Sequence, residues 1–296
     1  MRTIDVWNGE QFPLFTSIGL ETASKCNRKC IFCPVHDSPR ADELMDYELI
    51  HKVLTELGSL KFNGRIAPYI YNEPLRDKRM VDIIKLIRYC TPRAVIMIST
   101  NGDYLTEELL DTLFAVGLNQ LIINVYGQLD IDHAKSRAEK FQSWLDNRVW
   151  IDQEKSVYSG GSSRVRRAQV HHKYGVQQDG QNFGGGYQLQ NRSGNVEWLR
   201  ESAKKSYSGI CTRPFRIMQI NWKGDSILCC NDYYGEVPFG NVENQSLVEL
   251  WNRRLLHEKR EELQAGIRTG LCEHCDFKGG AYKHQIYKIQ QKAPPD

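Results

Sequence analysis

Three cysteines stand in the order Cys26-Asn-Arg-Lys-Cys30-Ile-Phe32-Cys33, a C-x3-C-x2-C spacing with an aromatic residue just before the third. No other feature constrains the chain as much. Nine cysteines occur in 296 residues, at 26, 30, 33, 90, 211, 229, 230, 272 and 275. The count is odd, the thiols are clustered, and Met1 to Glu10 hold no apolar run of the signal-peptide kind. A disulfide framework is therefore not expected, and a metal or redox role in a reducing cytoplasm is. Three thiolates on one tight loop can hold three irons of a 4Fe–4S cube and leave the fourth open, able to bind a ligand and pass it an electron. The bland alternative is a structural zinc site made by the same cysteines with His36. Zinc accounts neither for the aromatic before Cys33 nor for the polar motifs that follow.

Around this loop the first half alternates strand and helix signals. Phe15–Glu21 is an apolar run leading into the cysteines, and Arg65–Tyr71, Ala94–Ser99 and Leu121–Val125 read as strands. Tyr47–Leu60, Arg79–Cys90, Thr106–Val116 and Ile131–Leu145 carry helical signals. Strands spaced by helices mean βαβ units and a parallel sheet. Four polar or metal-binding stretches fall at the C-terminal ends of these strands: the cysteine loop, Tyr71-Asn72-Glu73-Pro74, Ser99-Thr100-Asn101-Gly102, and Asn124 with Tyr126. That rim is where (β/α) barrels build active sites.

The cysteine spacing and these rim motifs resemble the radical S-adenosylmethionine (SAM) superfamily, through about residue 150. The resemblance implies an α/β fold with a partial (β/α)6 barrel, and SAM chelated by the open iron of a cluster on Cys26, Cys30 and Cys33. Reductive cleavage of SAM would then yield a 5′-deoxyadenosyl radical that abstracts hydrogen. It also implies SAM contacts from Phe32, Asn72, Glu73, Pro74, Ser99, Asn101, Asn124 and Tyr126. The family's usual glycines before Glu73 are replaced here by Tyr71 and Asn72.

A second cysteine group lies near the other end. Cys211 and Cys229 flank Gly224 in a C-x12-G-x4-C arrangement, and Cys272-Glu-His-Cys275 closes the set. Phe215–Ile220, a turn at Trp222 to Asp225, and Ser226–Cys229 read as a β-hairpin; Ser246 and Glu249 form a capping box opening a helix to about Ala265. This looks like the twitch form, a shortened SPASM extension, which would place one auxiliary 4Fe–4S cluster on Cys211, Cys229, Cys272 and Cys275. A zinc ribbon is the plain alternative. Cys230 adjoins one of these cysteines, and its thiol chemistry leaves three roles open: alternative ligand, bystander or hydrogen-atom donor. Cys90 ends a helix and is expected to pack in the core.

The expected organisation is a core over 1–205 with a glycine-rich insertion at about 159–197, a β-hairpin/helix auxiliary domain over 206–285, and a tail over 286–296. Long glycine-rich segments are more often lids or binding loops than linkers. The basic stretch Arg164–Lys173, with some strand character, could face an anionic substrate or be a solvated face; the same holds for His133 and Arg137. Lys plus Arg is 39 against 36 Asp plus Glu, a net charge of +3 that argues against a nucleic-acid surface. The apolar runs are too short to span a bilayer.

The chain is thus expected to be a cytoplasmic radical SAM oxidoreductase or epimerase with two 4Fe–4S clusters and a flavodoxin- or ferredoxin-like reductant. Its expected substrate is a polar small molecule resembling a sugar or aminocyclitol, because no peptide-recognition domain precedes Phe15. The alternatives are modification of a peptide, a two-cluster electron carrier, and a non-catalytic iron–sulfur or zinc-binding module.

Overall fold

Five strands alternate with four helices in the first part of the chain. They are β1 (Ser17–Leu20), α1 (Tyr47–Ser59), β2 (Arg65–Ala67), α2 (Met80–Cys90), β3 (Val95–Thr100), α3 (Glu107–Ala115), β4 (Gln120–Gly127), α4 (Ile131–Asp146) and β5 (Arg167–Tyr174). Then come β6 (Ile217–Ile220), β7 (Asp225–Ile227), β8 (Pro238–Asn241), α5 (Leu247–Trp251) and α6 (Arg254–Gln264). This computed structural model describes residues 14–37, 40–127, 130–154, 164–174, 191–196 and 210–277. The glycine-rich runs at 159–163 and 179–186, the tail over 286–296 and the His36 side chain lie outside the described residues.

The strands form one sheet in the order β5-β4-β3-β2-β1-β6-β7-β8. β1 to β6 are all parallel, and β6, β7 and β8 are antiparallel neighbours. Six parallel strands are therefore present. The sixth comes from the C-terminal hairpin and pairs with β1, so the two cysteine-bearing parts of the chain share the middle of one sheet.

Local chemistry explains the elements. Val95-Ile-Met-Ile is buried throughout, as expected of a parallel strand covered on both faces. The Asp46 carboxylate caps α1 by accepting from Glu48 N–H, and that helix turns Ile50, Val53, Leu54 and Leu57 into the core. Thr106 caps α3 through Leu109 N–H at 3.1 Å. β2 is shorter than its apolar run because Pro68 has no N–H to continue the ladder. The basic stretch supplies β5, in register with all eight residues of β4, and its Arg167 and Ala168 are buried.

The C-terminal helix expected from Ser246 to Ala265 is two helices. The chain breaks at Asn252, whose side-chain amide donates to Val248 O at 2.9 Å. The carbonyl of Trp251 is instead taken by the buried Arg260 guanidinium at 2.9 Å, which also donates to Pro214 O at 2.9 Å. Arg260 thereby ties α6 to the start of the hairpin.

His257, 5% exposed beside Arg260, gives this packing a pH signature. Burial, then the Arg260 charge, hold its imidazole down at about 4 against an ordinary 6.5. Between those values the unfolded chain takes a proton that the folded chain refuses. Its contribution is present above about 6.5 and is lost as pH falls through about 4. Denaturant titrations at pH 7 and pH 4.5 are expected to give a smaller acid loss for His257→Gln than for the parent, by about 1–2 kcal/mol after solvent screening. Equal losses would remove His257 as the cause.

Candidate metal centres and cofactor cleft

The loop leaving β1 brings Cys26, Cys30 and Cys33 to the C-terminal rim of the parallel strands. Cys33 N–H donates to Cys30 O at 2.9 Å, and Arg28 N–H donates to Cys26 Sγ at 3.4 Å. Burial, then the charges of Cys33 and Cys26, push the Cys30 thiol up to about 12, and burial pushes Cys26 up to about 11. Thiols that crowd and bury one another this way become thiolates together when a cation joins them, so the donor set suits a thiolate-bound metal centre. Among the described residues no three His, Cys, Asp or Glu side chains form a group that could hold one metal ion. A cube instead spreads its ligands, one thiolate to each iron, which fits three cysteines spaced along a loop.

The rim around this loop is held by hydrogen bonds among the expected cofactor residues. Glu73, 3% exposed, accepts from Leu75 N–H at 3.1 Å and Thr100 Oγ1–H at 2.5 Å on one oxygen, and from Asn101 N–H at 2.8 Å on the other. Burial outweighs these bonds and pushes its carboxyl up to about 7. The Asn101 amide donates to Asn27 Oδ1 at 2.8 Å and to Cys26 Sγ at 3.6 Å, so the turn after β3 is tied to the cysteine loop. Gly102 takes φ +77°, and a Cβ there would stand 2.8 Å from the Phe141 ring, so only glycine fits this turn under α4. The Asn124 amide donates to Ser99 Oγ at 2.7 Å, and the Phe32 and Tyr126 rings lie 5.3 Å apart. Asn72 is buried and accepts from Ile70 N–H at 3.2 Å, while Pro74 opens a short 3-10 turn.

Beside Cys30 opens a cleft of about 500 Å³, lined in part by Arg28, Asp103, Tyr126, His133 and Arg137. Asp103 pairs with Arg28 at 2.5 Å and with Arg137 at 2.8 Å. The two residues left open by the sequence, His133 and Arg137, thus border the cysteine loop.

The second group gathers at the end of the hairpin. Cys211, Cys272 and Cys275 are buried, and Asn231 donates to Cys229 Sγ through its backbone at 3.3 Å and to Cys275 Sγ through its amide at 3.5 Å. Burial opposes the charge of Arg213, but the negative charge of Cys230, Cys229, Cys211 and Cys275 as thiolates around it raises its pKa further. Four cysteines, with N–H donors aimed at the sulfurs of Cys229 and Cys275 and a cation beside them, suit a fully ligated cluster. Gly224, at φ +85°, makes the turn between β6 and β7 that brings Cys211 and Cys229 together.

Between the two groups lie residues that, Tyr71 apart, the sequence motifs did not mark. Arg40 pairs with Glu21 at 2.9 Å, and Tyr71 packs edge-on to Tyr233 with centroids 4.7 Å apart. Arg192 and Ser193 both take left-handed backbone, at φ 52° and 60°, and the Arg192 charge reaches Cys33 and Tyr71. Paired non-glycine residues in that region are strained and concentrate at functional sites. Only the positive φ betrays them, and no sequence pattern encodes it.

Comparison with known proteins agrees with this geometry. Residues 20–147 match the radical SAM superfamily model, and residues 211–276 match the SPASM iron–sulfur cluster-binding domain. An S-adenosyl-L-methionine-dependent 2-deoxy-scyllo-inosamine dehydrogenase from Niallia circulans is 29% identical over 266 residues, 89% of this chain and 93% of the relative. A tungsten-containing aldehyde ferredoxin oxidoreductase cofactor-modifying protein from Pyrococcus furiosus is 30% identical over 118 residues, 38% of this chain and 30% of that protein. Among solved structures, BtrN in complex with AdoMet and 2-DOIA superposes with a TM-score of 0.69 at 25% identity, covering 90% of this chain and 94% of that one. AnSMEcpe with bound AdoMet shares the fold at TM-score 0.55 and 14% identity, over 92% and 95%.

Proposed function

Because the chain belongs to the radical SAM superfamily and carries a C-terminal SPASM-type iron–sulfur domain, we propose that it oxidises or epimerises a polar sugar- or aminocyclitol-like small molecule. The observation that carries this reading is the likeness to an aminocyclitol dehydrogenase along nearly the whole of both chains. Cys26, Cys30 and Cys33 hold the SAM-binding cluster, and Cys211, Cys229, Cys272 and Cys275 hold the auxiliary one. Bound there, a 4Fe–4S cluster with an open iron supplies the electron that splits SAM to a 5′-deoxyadenosyl radical, which takes hydrogen from the substrate.

The chain's own part is placement and shielding. Glu73 and Asn101 hold the rim against the cysteine loop, Phe32 and Tyr126 offer an aromatic wall, and Arg28, Asp103 and Arg137 form a charged border. Two-electron oxidation removes a hydrogen atom, then a proton and an electron from the substrate. A cluster held by Cys211, Cys229, Cys272 and Cys275 would accept that electron. A flavodoxin- or ferredoxin-like protein supplies the priming electron, and the setting is the reducing cytoplasm; no helix among the described residues is long and apolar enough to cross a membrane.

Epimerisation is favoured by one feature, the Cys230 thiol. After burial, its charge is the largest influence on the Tyr71 hydroxyl, which sets the thiol near that ring. A thiol there could return a hydrogen atom to the substrate radical, and the thiyl radical left behind would take an electron and a proton from the same reductant and solvent. Anaerobically reconstituted enzyme, SAM, dithionite and 2-deoxy-scyllo-inosamine in deuterated water separate the outcomes. A ketone without solvent deuterium, formed with 5′-deoxyadenosine, is the expected result. Deuterium at a product carbon without ketone assigns epimerisation. SAM cleavage with the cyclitol untouched would overturn the substrate class and favour a peptide.

A further inference from the structure

Glu21 follows the last residue of β1, and its N–H donates to Ile220 O at 2.9 Å, so it sits where the two central parallel strands end. It is fully buried, at 0% exposed. One carboxylate oxygen is doubly engaged, by the Arg40 guanidinium at 2.9 Å and by Tyr71 N–H at 3.3 Å. The other has no well-formed hydrogen bond among the described residues, the Trp222 backbone adding only a weaker contact to the carboxylate. Arg40 cannot easily swing to serve it, because its guanidinium lies 3.8 Å from the Tyr233 ring centroid, 4.3 Å from that of Trp222 and 5.3 Å from that of Tyr71.

The contrast with Glu73 is informative. That buried carboxylate, one strand away, has donors on both oxygens. An unpaired oxygen on a buried carboxylate is costly and persists where something else completes it. Tyr71 adds a second incomplete group: its ring is half-buried but its hydroxyl oxygen is enclosed and has no partner among the described residues. That hydroxyl lies within electrostatic reach of Cys230 and Cys229 on one side and Glu21 on the other. Arg40 in turn is felt by Cys33. The two incomplete groups therefore stand between the two cysteine sets.

We propose that Glu21 and Tyr71 form a substrate subsite that takes a hydrogen-bond-donating ring substituent, a hydroxyl or an ammonium, and so fixes which ring position faces the radical. This rests on the small-molecule reading above and names the group that the site recognises. Burial outweighs the Arg40 charge and pushes the Glu21 carboxyl up to about 7, so a donating partner at the open oxygen is what favours its ionised, accepting form; a phenol can donate or accept and completes a second polar substituent. A carboxylate or phosphate on the substrate is repelled. A deoxy analogue leaves both groups unpaired, the situation in which enzymes discriminate by orders of magnitude.

The test is calorimetric titration of the anaerobic holoenzyme, saturated with SAM, with 2-deoxy-scyllo-inosamine and with scyllo-inositol. Wild type is expected to bind at least one. Glu21→Gln and Tyr71→Phe are each expected to weaken that binding about ten- to hundredfold. Loss confined to the inosamine in Glu21→Gln identifies an ammonium at the carboxylate, and equal loss for both probes identifies a hydroxyl. Glu21→Asp keeps the charge but retracts it by one methylene, and it is expected to lose binding as well, covering the case in which the Gln variant does not fold. Iron content and melting temperature in the same samples report folding. Variants that match wild type in both and bind the probes as tightly overturn the proposal, as does a wild type that binds neither probe. A wild type that forms no 5′-deoxyadenosine without added probe or with it overturns the radical SAM reading instead.

Discussion

Replacing Cys30 with alanine is expected to abolish 5′-deoxyadenosine formation and to lower the iron of the reconstituted protein from about eight to about four atoms per chain. Cys30 is the middle thiol of the β1 loop, and its sulfur is the one most strongly influenced by both neighbours after burial. With it gone, two thiolates remain, too few to hold a cube with one open corner. The loop itself should survive, because the bond that closes it runs from Cys33 N–H to the Cys30 carbonyl and not to the side chain. The four cysteines of the other group lie on separate segments after residue 210 and share no ligand with it. Iron and acid-labile sulfide per chain, with chromatography of the adenosine products, read both effects. Cys90→Ala is the control: Cys90 packs against the core at the end of α2, and its loss should leave iron at about eight. Iron near eight and full SAM cleavage in Cys30→Ala would take the loop out of the chemistry.

That expectation could be framed from the sequence, and the reason is physical. Cluster ligation demands cysteines at short fixed spacings, and strand-to-loop junctions demand apolar runs ending in polar residues, so both leave local marks. The motifs after β2, β3 and β4 were legible on that ground, and the structure ties them together through Glu73, Asn101, Ser99 and Asn124. The helix break at Asn252 was not legible, because no Pro or Gly announces it. It depends on Arg260, eight residues on, reaching back to the Trp251 carbonyl. β5 was partly hidden because its face alternation is overlaid by Arg, His and Lys, charged or polar residues tolerated on the edge of the sheet. Tyr71 stood in a rim motif, but its meeting with Glu21, Arg40 and Tyr233 was invisible, since the four come from distant segments and meet only when β6 docks beside β1. Residues that make chemistry possible through local spacing can be read in advance; those that choose the substrate by long-range convergence cannot.

Glu73→Ala is expected to have the second-largest effect, on stability and on the cofactor rim together. The carboxylate accepts three buried bonds, from Leu75 N–H, Thr100 Oγ1–H and Asn101 N–H, and thereby joins the turn after β2 to the end of β3. Alanine leaves these donors without an acceptor in a site closed to water. At about 1–3 kcal/mol for each orphaned group, and with partial relaxation, the loss should be about 3 kcal/mol, or roughly 6–12 °C in melting temperature. Glu73→Gln keeps one acceptor oxygen for Leu75 and Thr100 but turns an amide N–H toward Asn101 N–H, so it should lose about a third as much stability. The functional consequence follows from what Asn101 does next. Its side chain bonds Asn27 and Cys26, so a freed Asn101 backbone loosens the cysteine loop itself. SAM affinity is therefore expected to fall further in Glu73→Gln than its small melting shift alone would suggest, and calorimetric SAM titration of the two variants measures this. A Gln variant that melts lower but binds SAM as the parent does would make Glu73 a structural bridge only, with no hold on the cofactor.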